Sequence, residues 1–200
     1  MADLTNLPHD ITPADFFKLV DETLANEAAP DNARPEKAQI TLSGDGGGSW
    51  TSGFADGRLV VEEGTTENPP VALTLSVDDW RAFVAGKVRD ALKEHVDQAL
   101  IDPKALSKLY ASADKVDQVM ALKGNLQAVI EDGDTTYTAT VTTGGIAPDT
   151  ENPTARIVVA LPDFVLIASG QENPQMAFFS GKIRVEGDMN HVMGLFALTM

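Results

Sequence analysis

Apolar residues recur every four positions in "DITPADFFKLVDETLANEAA", where Phe16, Val20 and Leu24 share one face, so the chain opens on a helix. Thr12 supplies a cap, Pro13 suits the first turn and Asp15 completes a capping box; the helix is expected to run to about Ala28. Two prolines in "PDNARPEK" break the pattern, and the period then drops to two. Ile40 and Leu42 alternate with polar residues into "GDGGGS", and Trp50 to Phe54 and Arg58 to Glu62 read as strands around the Asp56-Gly57 hairpin signal. "VALTLS" is a fourth strand. At Ser76 the period returns to 3.6: Ser76 and Asp79 form a capping box, and Trp80, Phe83 and Val84 make one helical face. The helical pattern passes Gly86-Lys87 to Ala91, Leu92 and Val96. It restarts at Asp102-Pro103 with Leu106, Leu109 and Tyr110, then runs from Asp114 to Leu122, where Gly124 offers a left-handed stop.

Strands resume at "LQAVIEDGDTTYTATVTT", with a turn at Asp132-Gly133 and Thr and Tyr favouring extended structure. An earlier order then repeats. "TENPPVALTLSVDDWRAFVAGK" (66–87) aligns without a gap to "TENPTARIVVALPDFVLIASGQ" (150–171), setting Leu73 over Ile157, Asp79 over Asp163, Trp80 over Phe164 and Gly86 over Gly170. This reads as a diverged internal duplication giving two related α+β lobes. Only the second copy continues. Asn173-Pro174 starts a short helix bearing Met176 and Phe179, Gly181 ends it, Ile183 and Val185 mark a strand, and Gly187-Asp188 turns into a last helix with Met189, Val192, Met193, Phe196 and Met200 as an apolar stripe.

Composition narrows the function. A net charge of -15, with no window rich in Lys and Arg, excludes nucleic acid as the expected partner and argues against steady adhesion to anionic lipid. The first residues lack a secretory leader's pattern and no apolar run is long enough to span a bilayer, so stable membrane insertion is not expected. The absence of cysteine removes disulfides and thiolate metal sites and fits the cytoplasm. Gly181-Lys182 is no phosphate loop, because Met176 stands where the first glycine is required and Ile183 where the hydroxyl should be. "GDGGGS" precedes a strand instead of a helix and aims no helix terminus at an anion.

His9, His95 and His191 lie too far apart for a zinc motif and read as surface residues, and Asp132-Gly133-Asp134 lacks the closing acid of a calcium loop. No serine elbow exists. The chain is therefore expected to be no enzyme and to use no metal or other cofactor. What survives is an apolar cavity. Phe164, Met176, Phe178, Phe179, Met189, Met193, Phe196 and Met200 crowd the last quarter, and although each alone also reads as core, together they suit a wall that accepts a variable apolar guest.

"AFFSGKIRVEGDM", preceded by "ARIVVALPDFVLIASGQENP", resembles the sterol carrier protein type 2 family through Ala177-Phe178, Gly181-Lys182, Ile183, Val185 and Gly187-Asp188. The resemblance covers about Val116 to Met200. It returns more faintly from about Asp15 to Lys87, through "GGGSWTSGFADGRLVVEEG" and "LTLSVDDWRAFVAGK". It implies an α+β fold: a curved, mostly antiparallel sheet covered by helices, around a hydrophobic tunnel for fatty acid, fatty acyl-CoA or sterol, which the final helix helps to close. Carried over, the wall comprises Phe164, Ile167, Met176, Phe179, Met193 and Phe196, and Met189 joins it from the apolar stripe.

Two lobes are expected: 1–101, diverged and lacking the last strand and closing helix, and 102–200, complete and lipid-binding. The first lobe's pocket is expected to be missing or plugged by the 88–122 helices. The expected function is non-catalytic carriage of a long-chain apolar lipid. The alternative is a structural or interaction module whose lobes fill each other's grooves or recruit a second copy as a homodimer.

Overall fold

The computed structural model describes residues 4, 7–24, 28, 29, 31, 33–96 and 113–199. The helical turn read from Leu106, Leu109 and Tyr110, and the side chain of Met200, lie outside them. In chain order the described elements are α1 (Pro13–Leu24), β1 (Ala38–Ser43), β2 (Gly48–Ala55), β3 (Arg58–Glu63), β4 (Val71–Ser76), α2 (Val77–Ala85) and α3 (Lys87–Lys93). These are followed by α4 (Ala113–Ala121), β5 (Gly124–Asp132), β6 (Thr135–Thr143), β7 (Ala155–Ala160), α5 (Leu161–Ala168), α6 (Pro174–Phe179), β8 (Ile183–Gly187) and α7 (Met189–Thr199).

Local chemistry sets several boundaries. Thr12 Oγ1 accepts from the Asp15 N–H at 3.1 Å, and Ser76 Oγ accepts from the Asp79 N–H at 2.9 Å, so both capping boxes form. Asp56 and Gly57 both have positive φ, 51° and 79°, as a two-residue hairpin with the right strand twist requires. The first helix stops before Ala28, which is already extended and bridges Arg58. Gly86 is extended and separates α2 from α3, so the helical run past Gly86 is broken in two.

The eight strands among the described residues join one mixed sheet in the order β3-β2-β1-β4-β6-β5-β7-β8, with only β1–β4 and β5–β7 parallel among their seven pairings. The trios β2-β1-β4 and β6-β5-β7 follow the same path, an antiparallel hairpin and then a parallel neighbour. Their registers agree with the sequence repeat. Gln39 faces Ala72 as Gln127 faces Arg156, and Ile40 faces Leu73 as Ala128 faces Ile157. Each trio also has one antiparallel strand outside it on either side, giving the five-strand frames β3-β2-β1-β4-β6 and β4-β6-β5-β7-β8. The two frames share β4 and β6. The first-half frame, whose own sequence has no last strand, is thus completed by β6, and the second-half frame is completed by β4.

Side-chain links repeat as well. The buried amide of Gln39 accepts from the Thr66 N–H at 2.9 Å, and that of Gln127 donates to the Thr150 carbonyl at 2.9 Å, so each ties its Thr-Glu-Asn-Pro loop to the sheet. Asp79 accepts from the Thr138 N–H of β6 at 3.1 Å, while its counterpart Asp163 pairs with Lys182 beside β8 at 3.2 Å. In both frames an acid in the first turn of the following helix fastens the outer strand.

The apolar side chains of alternate strand positions face the helices, as period-two patterning dictates. In the first half α1 and α2 bury Phe16, Phe17, Val20, Leu24, Trp80 and Val84 against Leu42, Trp50, Leu59 and Leu75. In the second, Leu161, Val165 and Ala177 of α5 and α6 cover Ile130, Val159 and Ile183. At the opposite end of the strands, Val116 of α4 packs on Ala38, and His191 of α7 rests on Gly124. Gly124 therefore does not end a helix: it opens β5, and a Cβ there would lie 2.5 Å from the imidazole.

Candidate functional site

The helix-facing side of the second half contains three successive rows of side chains. Tyr137, Ile130, Val159 and Ile183 form the row under α5 and α6; Leu126 and Ala155 belong to the row at the α7 end. Between them lies Ala139, Ala128, Ile157 and Val185, one from each of β6, β5, β7 and β8, and all four are half-buried. Four strands at 4.8 Å spacing make this floor about 14 Å long, and the flanking rows stand about 7 Å to either side. Two of the four floor residues are alanine. The result is an apolar trough crossing the sheet between α5–α6 and α7.

The corresponding row of the first half is Trp50, Ile40 and Leu73, matched through pairings with the aligned Leu73 and Ile157. Trp50 thus stands where the second half has Ala139, and Ile40 where it has Ala128. Phe17 of α1 stacks on Trp50 at 4.3 Å, Phe16 meets Trp80 edge-on at 5.5 Å, and Trp50 and Trp80 are 6% and 2% exposed. The first half is thus filled by its own aromatic side chains, contributed by α1, β2 and α2.

The seven side chains nominated from the sequence divide by position. Phe164 and Ile167 on α5 are half-buried against the cluster that includes the floor residues Ile157 and Val185. Met176 and Phe179 on α6 are 63% and 80% exposed, and on α7 Met193 is 59% exposed with Met189 and Phe196 also on the surface. The helices bounding the trough therefore carry the nominated residues, and five of the seven face outward. The floor residues Ala128 and Ala139 were not singled out and Val185 was read only as a strand residue, although the alternation of β5, β6 and β8 placed each on an apolar face.

Polar groups fix the helices around the trough. Asn173 Oδ1 caps α6 by accepting from the Gln175 and Met176 N–H groups at 2.8 and 3.3 Å. Lys182 donates to Glu172 at 2.6 Å and pairs with Asp163, tying the α5–α6 link to β8; these partners, Glu172 first, hold its ammonium above the usual pKa. His191 is no surface residue: it is 3% exposed with an unpartnered Nε2. Burial pushes its pKa down, opposed in part by Asp188, so the neutral imidazole sits against Gly124.

A separate open cleft of about 550 Å³ lies between α3 and α5. Its polar wall is Lys87, Asp90, Glu94, His95 and Asp132, and none of the nominated side chains lines it. No helix among the described residues is long and apolar enough to cross a membrane.

Several solved structures are similar to this chain. Sterol carrier protein 2 like 2 of Aedes aegypti shares 22% identity over 37% of this chain and 71% of its own, with a TM-score of 0.30. The sterol carrier protein domain 2 of Helicoverpa armigera shares 22% over 56% and 85%, at 0.35, and the apo form of sterol carrier protein 2 from Yarrowia lipolytica shares 13% over 59% and 91%, at 0.36. No curated protein matches the chain at a significant level. The SCP-2 sterol transfer family model matches residues 104–199, a stretch that holds α4, the trough strands and every helix bounding the trough.

Proposed function

We propose that residues 102–200 form a non-catalytic carrier lobe that holds the chain of a fatty acid, fatty acyl-CoA or sterol-like lipid along the trough. Residues 1–101 are its diverged, aromatic-filled counterpart, derived from it by internal duplication, and the protein works in the cytoplasm. The observation that carries this reading is the pair Ala128 and Ala139 where the first half has Ile40 and Trp50. The family match to residues 104–199 supports it. A floor of alanine, isoleucine and valine offers no nucleophile or acid–base group, which supports carriage over turnover.

The energetics allow it. Burying a sixteen-carbon chain releases about 0.8 kcal/mol per methylene, roughly 12 kcal/mol in all, against an association cost of about 4 to 15 kcal/mol. Micromolar binding lies inside that range.

Organic extraction of the purified protein followed by mass spectrometry, and titration with a fluorescent fatty acid, test the reading. Co-purifying lipid and saturable binding are expected; an empty protein that leaves the probe free would refute it. A second reading, a protein-association module, is favoured by the exposure of Phe179 and Met193. Light scattering on Phe179→Asp separates the two. Loss of assembly with bound lipid unaffected supports association, whereas loss of lipid from an intact fold supports carriage.

A further inference from the structure

The sheet has two outer edges, β3 and β8, and the chain treats them differently. An open edge presents unpaired N–H and C=O groups that accept another strand, so proteins commonly cover or block it. At β3 the region of α1 does this. Asp21 accepts from the Val61 N–H at 2.9 Å and from Arg58 at 3.1 Å, Ala28 bridges Arg58, and the Ala29 N–H donates to the Gly57 carbonyl at 2.9 Å. At β8, among the described residues, the strand partners all lie on β7, and no other hydrogen bond reaches the backbone from Ile183 to Gly187.

The open edge carries a self-complementary pattern of charge. Arg184 and Glu186 flank Val185, and both point away from the helices, because Ile183 and Val185 belong to the helix-facing rows. Arg184 is 57% exposed and gives one terminal nitrogen to Glu131 at 2.9 Å, while Glu186 is exposed and has no ion-pair partner among the described residues. Set antiparallel to a second copy about Val185, β8 places Arg184 opposite Glu186 of that copy, and Glu186 opposite its Arg184, with Cβ atoms about 5 Å apart. A two-residue slip sets Arg184 against Arg184 or Glu186 against Glu186, and shortens the paired stretch from five positions to three. A one-residue slip turns the helix-bearing faces to opposite sides of the sheet. Charge and length therefore select one register, and it has the two-fold symmetry of most homodimers.

We infer that β8 is a self-recognition edge, at which two copies of the chain pair antiparallel about Val185 and join their sheets into one. The carrier reading is neither used nor altered by this pairing. Five residues a side make a small contact, so the dimer is weak, with a dissociation constant of about tens of micromolar. Two chains of -15 repel each other at long range, but at about 0.15 M salt that field falls off over about 8 Å, and charges in contact are screened least.

The test is sedimentation equilibrium on the full chain at about 0.15 M salt. A monomer–dimer equilibrium is expected. Arg184→Glu and Glu186→Arg should each weaken it about tenfold or more, because each turns both attractive cross-strand pairs into repulsive ones. Glu186→Arg makes the chain less negative, so overall repulsion alone would predict tighter association instead. An equimolar mixture of the two variants restores opposite charges at both positions and should form a heterodimer about as strong as the parent dimer, as should the double variant Arg184→Glu, Glu186→Arg with itself. Circular dichroism checks that each fold is intact, and the fluorescent fatty-acid titration reports separately on the carrier reading. A parent chain still monomeric at about 300 micromolar, single variants that dimerise as well as the parent, or a mixture that fails to recover association each overturn the β8 pairing.

Discussion

In the first half of the sheet Trp50 and Ile40 rise from neighbouring strands to meet Phe17 of α1, and the space above them is filled. In the second half the same two backbone positions carry Ala139 and Ala128, and the row they belong to is half-buried. The strand paths and registers are shared, so backbone geometry does not distinguish a filled row from an open one. Side-chain volume at two positions, together with the aromatic pair on α1, does. The helices reinforce the contrast: Trp80 on α2 is sealed inside, while its aligned partner Phe164 on α5 is half-buried beside the trough.

The largest effect is expected from separating the halves. A chain beginning at residue 102 lacks β4, which leaves the β6 edge from Thr140 to Thr143 without its partner strand. An unpaired edge recruits other chains, so self-association measured by light scattering is expected; a well-behaved monomer with native-like amide protection would show that the second frame needs no borrowed strand. Next in size is Trp50→Ala, which empties the filled row and should cost about 3 to 5 kcal/mol in urea denaturation. A loss below about 1 kcal/mol would mean that the first half is not held closed by packing.

The converse substitution, Ala139→Trp, puts the first half's side chain into the trough. Fatty-acid affinity should fall at least tenfold, about 1.4 kcal/mol, in a variant whose circular dichroism shows an intact fold. Unchanged binding would place the ligand elsewhere. The smallest effect is expected at His191. Burial holds its pKa below the ordinary 6.5, so the unfolded chain takes up the proton first as pH falls. The stabilising contribution is complete above that value, declines from there down to the folded-state pKa, and is flat below it. Urea midpoints against pH should show the decline in the parent protein and lose it in His191→Gln; an identical slope in both would assign the effect to other groups.

Much of this architecture was legible in residue order. Periodicity located the described strands and helices, the Thr12 and Ser76 caps were read correctly, and the Thr-Glu-Asn-Pro alignment anticipated the shared register of β4 and β7. The sharing of strands was not legible, because the β4–β6 pairing joins residues some seventy apart and a strand of alternating threonine such as β6 announces no particular partner. Gly124 was misread since a glycine just after a helix usually stops it, whereas here the reason is the His191 ring packed against the place a Cβ would take. His191 sits between polar Asn190 and buried Val192, and nothing local shows which it follows. The Met and Phe stripes of α6 and α7 were visible, but an apolar stripe ordinarily predicts burial, and their exposure depends on how much sheet is left to cover. Alanine gives too weak a signal to mark a floor.

The strands held in common by the two frames have a thermal consequence. Melting either frame removes a structural member from the other, so heating should give one endotherm instead of two. Occupancy of the trough would then raise the midpoint for the whole molecule, including the aromatic half that no ligand touches.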